Sequence, residues 1–72
     1  MWRLVALRRA NPNDPEGPVR LIDKSYTSAW LARVAFDLER THYGAIAASL
    51  QYLRVHEDPE VLDSFGSFEE QS

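Results

Sequence analysis

Apolar and polar positions begin to alternate at the second residue. In Trp2-Arg3-Leu4-Val5-Ala6-Leu7-Arg8-Arg9, Trp2, Leu4 and Ala6 share one side of an extended chain. Arg3, Val5, Leu7 and Arg9 share the other. This predicts a strand. Residues 11–18 contain three prolines and a glycine, which no regular element tolerates, so a long loop follows. Val19-Arg20-Leu21-Ile22-Asp23-Lys24 predicts a second short strand.

The period then changes. From Ser28 to about His42 the chain lacks glycine and proline, and Gly44 supplies a stop. Thr27 is the expected N-cap, with Tyr26 and Leu31 as a hydrophobic staple across the helix start. At about 100° per residue, Trp30, Leu31, Val34, Ala35 and Leu38 fall on one arc roughly 140° wide. That arc is the expected core face, with Arg33, Asp37 and Arg40 opposite. Phe36 and Tyr43 lie off it, flanked by Arg33 and Arg40.

Residues 45–56 fit two periods. Ile46, Leu50 and Leu53 make a narrow helical stripe, whereas Ile46, Ala48, Leu50 and Tyr52 alternate as a strand would. A third strand closes a small sheet, since an isolated hairpin is marginal in water. Asp58-Pro59-Glu60 places a cap, a proline and an acid where a helix begins, so a short turn through Val61, Leu62 and Phe65 is expected. The chain should fray after Gly66. The resulting expectation is an α+β fold in which a small antiparallel sheet packs on one main helix. Its order is β-β-α-β with a short C-terminal helical turn, and ββαα is the alternative. Residues 1–65 would form one domain and 66–72 an acidic tail.

Length and composition narrow the class. Seventy-two residues give one small core, and 44% hydrophobic with 26% charged residues is ordinary for a globular chain. Cysteine is absent, so disulfides, thiolate chemistry and Cys-ligated zinc are excluded. With no apolar run near the roughly 20 residues of a membrane helix, a cytoplasmic protein that does not enter membranes is expected. The net charge of −3 divides unevenly. Residues 1–55 hold all eight basic groups against five acids; residues 56–72 hold six acids and no lysine or arginine. The acidic end is a solubility feature, or it competes with nucleic acid for the basic body, or it docks on a basic partner.

Candidate chemistry is sparse. His42 and His56 have no metal-ligand spacing, and three glycines build neither a phosphate loop nor a nucleophile elbow. Asp37 and Glu39, two apart on a helix, point in different directions. No enzyme activity, cofactor or metal is expected. Surfaces carry more. In the three-strand arrangement the helix covers Trp2, Leu4, Ala6, Val19, Leu21, Ile46, Ala48 and Leu50. The open face then shows Val5, Leu7, Ile22, Ala47, Leu53 and Val55, among Arg3, Arg9, Arg20 and Lys24. That face would be covered by the C-terminal segment, pair in a homodimer or meet a partner. The outer helix offers Arg33, Phe36, Arg40 and Tyr43, residue types typical of interface anchors.

In layout, the succession strand, strand, helix, His42-Tyr43-Gly44 turn, strand resembles some small phage-encoded inhibitors, including certain anti-CRISPR proteins. The junction Ser25-Tyr26-Thr27-Ser28-Ala29-Trp30-Leu31 is also similar to that of integrase arm-binding domains, where a Trp-containing helix follows a small sheet. Those domains have three strands before the helix and a more basic surface. Both likenesses cover at most residues 2–55 and imply fold only. The functional expectation is a non-catalytic protein-binding module, an inhibitor or regulator that occupies a partner's surface. It would use Arg33, Phe36, Arg40, Tyr43, Val5, Leu7, Ile22 and Leu53. The alternative is nucleic-acid binding through Arg3, Arg9, Arg20, Lys24 and Arg54, restrained by the acidic tail.

Overall fold

The computed structural model describes residues 1–68. Four strands and one helix follow in the order β1 (Trp2–Arg9), β2 (Val19–Tyr26), α1 (Ala29–Thr41), β3 (Ala47–Tyr52) and β4 (Glu60–Phe65). The strands form one antiparallel sheet in the order β2-β1-β3-β4, with α1 packed on one face. The expected β-β-α-β order therefore holds. The ambiguous segment is a strand because β1 offers it a complete ladder, from Trp2 opposite Tyr52 to Leu7 opposite Ala47.

The C-terminal helical turn expected at 58–65 is replaced by β4. Asp58-Pro59 does begin an element, but a strand: pairing with β3 places Phe65 opposite Ala48 and Ser64 opposite Ser49. A bulge between Leu50 and Gln51 shifts the register near Leu62. Long-range pairing outweighs a local capping signal here, since β3 would otherwise be an open edge. Gly66 follows at φ +73°, and Ser67 and Phe68 are half-buried. The rest of the expected frayed tail, residues 69–72, lies outside the described residues.

The loop after β1 is closed by its own side chains. The Asn11 and Asp14 carboxamide and carboxylate oxygens accept from the Asn13 and Glu16 amides at 3.0 and 3.2 Å. The Ala10 amide donates to the Pro18 carbonyl at 2.9 Å. Two successive Asx turns thus bring β2 back along β1. The turn between β3 and β4 has a different device, with His56 in the left-handed region at φ 63°. That conformation costs an L-residue about 1–2 kcal/mol, which glycine avoids at some entropic expense. His56→Gly is expected to stabilise the fold by about 1 kcal/mol, raising the melting temperature by roughly 4–8 °C. An unchanged or lower melting temperature would show that the histidine ring has a stabilising role.

Two faces differ from expectation. On β2 the inward residues are Ile22 and Tyr26, because Ala6 pairs with Ile22 and Trp2 with Tyr26. Val19 and Leu21 therefore belong to the open face, and Ile22 leaves it together with Arg20 and Lys24, which share its parity. Adjacent Leu21 and Ile22 make either parity acceptable over six residues; extending the strand to Tyr26 decides it.

The larger difference is the roll of α1. Its N-cap is Ser28, whose hydroxyl accepts from the Leu31 amide at 3.3 Å, not Thr27. Ala32, Phe36 and Glu39 are buried against the sheet, whereas Trp30, Leu31, Val34 and Leu38 face outward. The core is small and close-packed: Ala32 meets a floor that includes Ala6 and Ala48, with Leu4 and Leu50 beside them. Stacked alanines let the helix approach the sheet closely. Phe36 fills the remaining space, its ring 5.6 Å from that of Phe65. Burying that side chain contributes roughly 1.5–3 kcal/mol.

Candidate functional site

Glu39 explains the roll electrostatically. It is 1% exposed, yet both carboxylate oxygens are met by Arg8 from β1: Nε donates to Oε1 at 2.6 Å and Nη2 to Oε2. A bidentate fork satisfies a buried carboxylate far better than one hydrogen bond does. These hydrogen bonds also raise the Arg8 pKa above its ordinary value. The Tyr43 ring lies 3.9 Å from the Arg8 guanidinium carbon and fixes its plane from the other side. Holding Glu39 inward turns the helix, and the four large apolar residues are carried to solvent.

Those four make a continuous ridge. Trp30 is 71% exposed and Leu31 50%, with Val34 and Leu38 about two-fifths exposed behind them. They stand at helical spacings of three, four and seven residues, one side of three helical turns. Their exposed apolar area is on the order of a few hundred Å², the size at which a surface patch on a monomer is often functional.

The residues anticipated as partner contacts are scattered. Phe36, expected outside, is in the core. Arg33 pairs with Asp63 at 3.1 Å, and the Arg40 guanidinium sits 4.9 Å from the Phe65 ring centre. Tyr43 remains exposed at the helix end. Val5 and Leu53 are half-buried and Leu7 is buried between its register partners Leu21 and Ala47. Val55 lies beyond β3, in the loop. The open face is also more polar than anticipated: Ser49 and Gln51 hydrogen-bond at 3.1 Å, and Arg3 crosses to Asp23.

The five anticipated phosphate contacts divide. Arg3 donates to both Asp23 oxygens at 2.9 and 2.6 Å, and Arg54 reaches Glu60 at 2.7 Å and Glu57 at 3.6 Å. Acids 57, 60 and 63 of the C-terminal segment are thus engaged by Arg54 and Arg33. Arg9 donates to the Pro15 carbonyl. Among the described residues Arg20 and Lys24 have no ion-pair partner.

The Arg3 hydrogen bonds hold the Asp23 carboxyl below the usual carboxylate range. A depressed folded-state pKa means that the pair stabilises the fold above the unfolded value, near 3.9, and that this contribution is lost as pH falls through the folded value. An NMR titration of the Asp23 carboxyl should give a midpoint below 3.9, returning upward in Arg3→Gln. A midpoint at or above 3.9 in the native chain would mean the pair is open in solution.

No helix among the described residues is long and apolar enough to cross a membrane. No protein-family model, curated protein or solved structure matches this chain.

Proposed function

We propose that this protein is a non-catalytic protein-binding module that inserts the α1 ridge into an apolar groove on a partner. The observation that supports this is the outward set Trp30, Leu31, Val34 and Leu38 on a helix whose other side is committed to the core. Helix-in-groove recognition uses this pattern of anchors, with a tryptophan as the usual largest contributor. The ridge is convex and its apolar area falls short of the about 800 Å² per partner of a standard interface. Two copies meeting ridge to ridge would bury too little. A groove reaches past the ridge, where Asp37 and Arg40 along one flank provide a polar rim. Occupying such a groove would block whatever the partner's groove normally binds, which is how an inhibitor or regulator of this size acts.

The nucleic-acid alternative is left with Arg20 and Lys24 on the helix side of the sheet, since Arg3 and Arg54 are already paired and Arg9 belongs to the opposite face. With about 0.9 per neutralised phosphate, two contacts give a log–log salt slope of roughly −2 rather than −5.

The test compares the native chain with Leu31→Asp/Val34→Asp as immobilised baits. A protein retained by the first and not the second is then purified and titrated against the native chain while Trp30 emission is followed. A blue shift, and at least 30-fold weaker binding by Trp30→Ala, are expected. Equal retention by both baits, retention of nucleic acid alone, or sedimentation at twice 8.3 kDa that the double substitution abolishes would each overturn the reading.

A further inference from the structure

A separate concavity of about 280 Å³ opens at the other end of the helix, where the β1–β2 loop approaches the α1 C-terminus. Arg8, Arg9 and Arg20 line it from the strands, Pro12 from the loop, and His42 and Tyr43 from the helix end. We infer that this cavity binds the phosphate group of a small phosphomonoester, with the ring or apolar remainder of the ligand against His42 and Tyr43.

The charge arrangement carries the inference. Arg8 and Arg20 project to the same side of the sheet beside this space, and the single carboxylate engaged with either, Glu39, is bound to Arg8 on the buried side. Arg9, of the opposite strand parity, turns its guanidinium to the Pro15 carbonyl and borders the space from the loop end. Arg20 has neither a hydrogen bond nor an ion pair among the described residues. Moreover, Arg8 and Arg20 are direct cross-strand partners in the β1–β2 register. Like charges placed opposite one another destabilise a sheet unless an anion lies between them. The free Arg20 guanidinium can meet phosphate oxygens with a planar, bidentate fork, while Arg8, whose Nε and Nη2 are held by Glu39, adds its fixed positive charge and Nη1.

The helix end does not oppose this. A C-terminus carries partial negative charge on its last carbonyls. Here the Leu38 carbonyl accepts from the amides of His42 and Tyr43, and the Glu39 carbonyl from Ala45. The Asp37 carbonyl accepts from the Thr41 hydroxyl. Size and surroundings favour a small ligand over a polyanion. The volume equals the share of about nine liquid waters, more than a bare phosphate needs. Its loop wall continues into Asp14 and Glu16, which would repel an extended phosphate backbone. Apolar surface from Ile22, Pro12 and the two rings lines the remainder.

The test is a pair of amide and arginine Nε–H NMR titrations of the full chain, with inorganic phosphate and with phenyl phosphate, at constant ionic strength held by sodium chloride. Saturable shifts are expected at Arg9, Arg20, His42 and Tyr43, with phenyl phosphate binding several-fold more tightly than phosphate. Arg20→Gln, whose side chain supports nothing else, should weaken both by about tenfold while leaving the melting temperature unchanged. Shifts no larger than those produced by chloride would overturn the inference. So would an Arg20→Gln chain that titrates like the native one, or silence towards both phosphates alongside tight binding of a 12-nucleotide single strand. None of these outcomes depends on the α1 ridge or its partner.

Discussion

Replacing Arg8 with methionine is expected to cost about 3–5 kcal/mol of folding stability, the loss typical when one partner of a buried ion pair is removed. Methionine keeps the length and apolar stem of the side chain, so the loss is electrostatic. Glu39, at 1% exposure, would have no donor for either carboxylate oxygen and no route to water without moving the helix. A 72-residue domain has a total stability of roughly 4–11 kcal/mol, so the variant should be largely unfolded or near its midpoint at room temperature. Adding Glu39→Leu to Arg8→Met should recover most of the loss, because a buried pair can often be exchanged for apolar groups at little net cost. Urea unfolding of the four members of this cycle gives the coupling directly. A single Arg8→Met loss below 1 kcal/mol would mean that Glu39 is solvated and that the helix is not held by it.

Gly66→Ala is expected to cost about 3 kcal/mol or more. A β-carbon there would stand 2.1 Å from the Ile46 carbonyl oxygen and 2.8 Å from the Ala47 α-carbon, both backbone atoms that cannot rotate aside. The φ of +73° adds about 1–2 kcal/mol for any L-residue. Relief requires the end of β4 to withdraw, taking Phe65 off Phe36 and opening the core at its β4 side. Gly44→Ala is the matched comparison. Gly44 has a similar φ of +62°, but its β-carbon would meet nothing within 4 Å. Only the conformational cost of about 1–2 kcal/mol applies there. Thermal melts should therefore separate the two glycines clearly. Equal losses would mean that the chain after β4 does not pack against the start of β3.

The first two strands and the helix were legible in the sequence because each is announced by signals within ten residues, while the segment that became β3 fitted two periods. Alternation marks β1, three prolines mark the loop, and the cap and glycine bracket α1. Two features were not legible, for different physical reasons. The strand character of 60–65 comes from pairing with β3, while its local signals, an aspartate, a proline and a glutamate, are those of a helix start. The roll of the helix depends on one contact across 31 residues, from Arg8 to Glu39. Amphipathic analysis counts glutamate as solvent-facing and alanine as weakly apolar. It therefore aims the largest side chains inward and misses a face built from two alanines, one phenylalanine and a neutralised acid. The same error placed Phe36 outside and hid the ridge. One available signal was the alanine content of both partners: Ala6, Ala32, Ala35 and Ala48 together allow a closer approach than tryptophan or leucine would. The cationic cavity was half visible. Arg9 and Arg20 were singled out as anion contacts, but nothing in the linear order showed that Arg20 would face Arg8 or that His42 and Tyr43 would wall the same space.

The orientation of α1 underlies both the ridge and its proposed role, and it can be read without knowing any partner. Attenuation of NMR signals by a soluble paramagnetic agent, at a concentration where the chain is monomeric, ranks side chains by their access to solvent. The Trp30 indole and the methyl groups of Leu31, Val34 and Leu38 should be strongly attenuated, while the Ala32 methyl and the Phe36 ring are protected. Protection of Trp30, Val34 and Leu38 with attenuation of Ala32 and Phe36 would contradict the account.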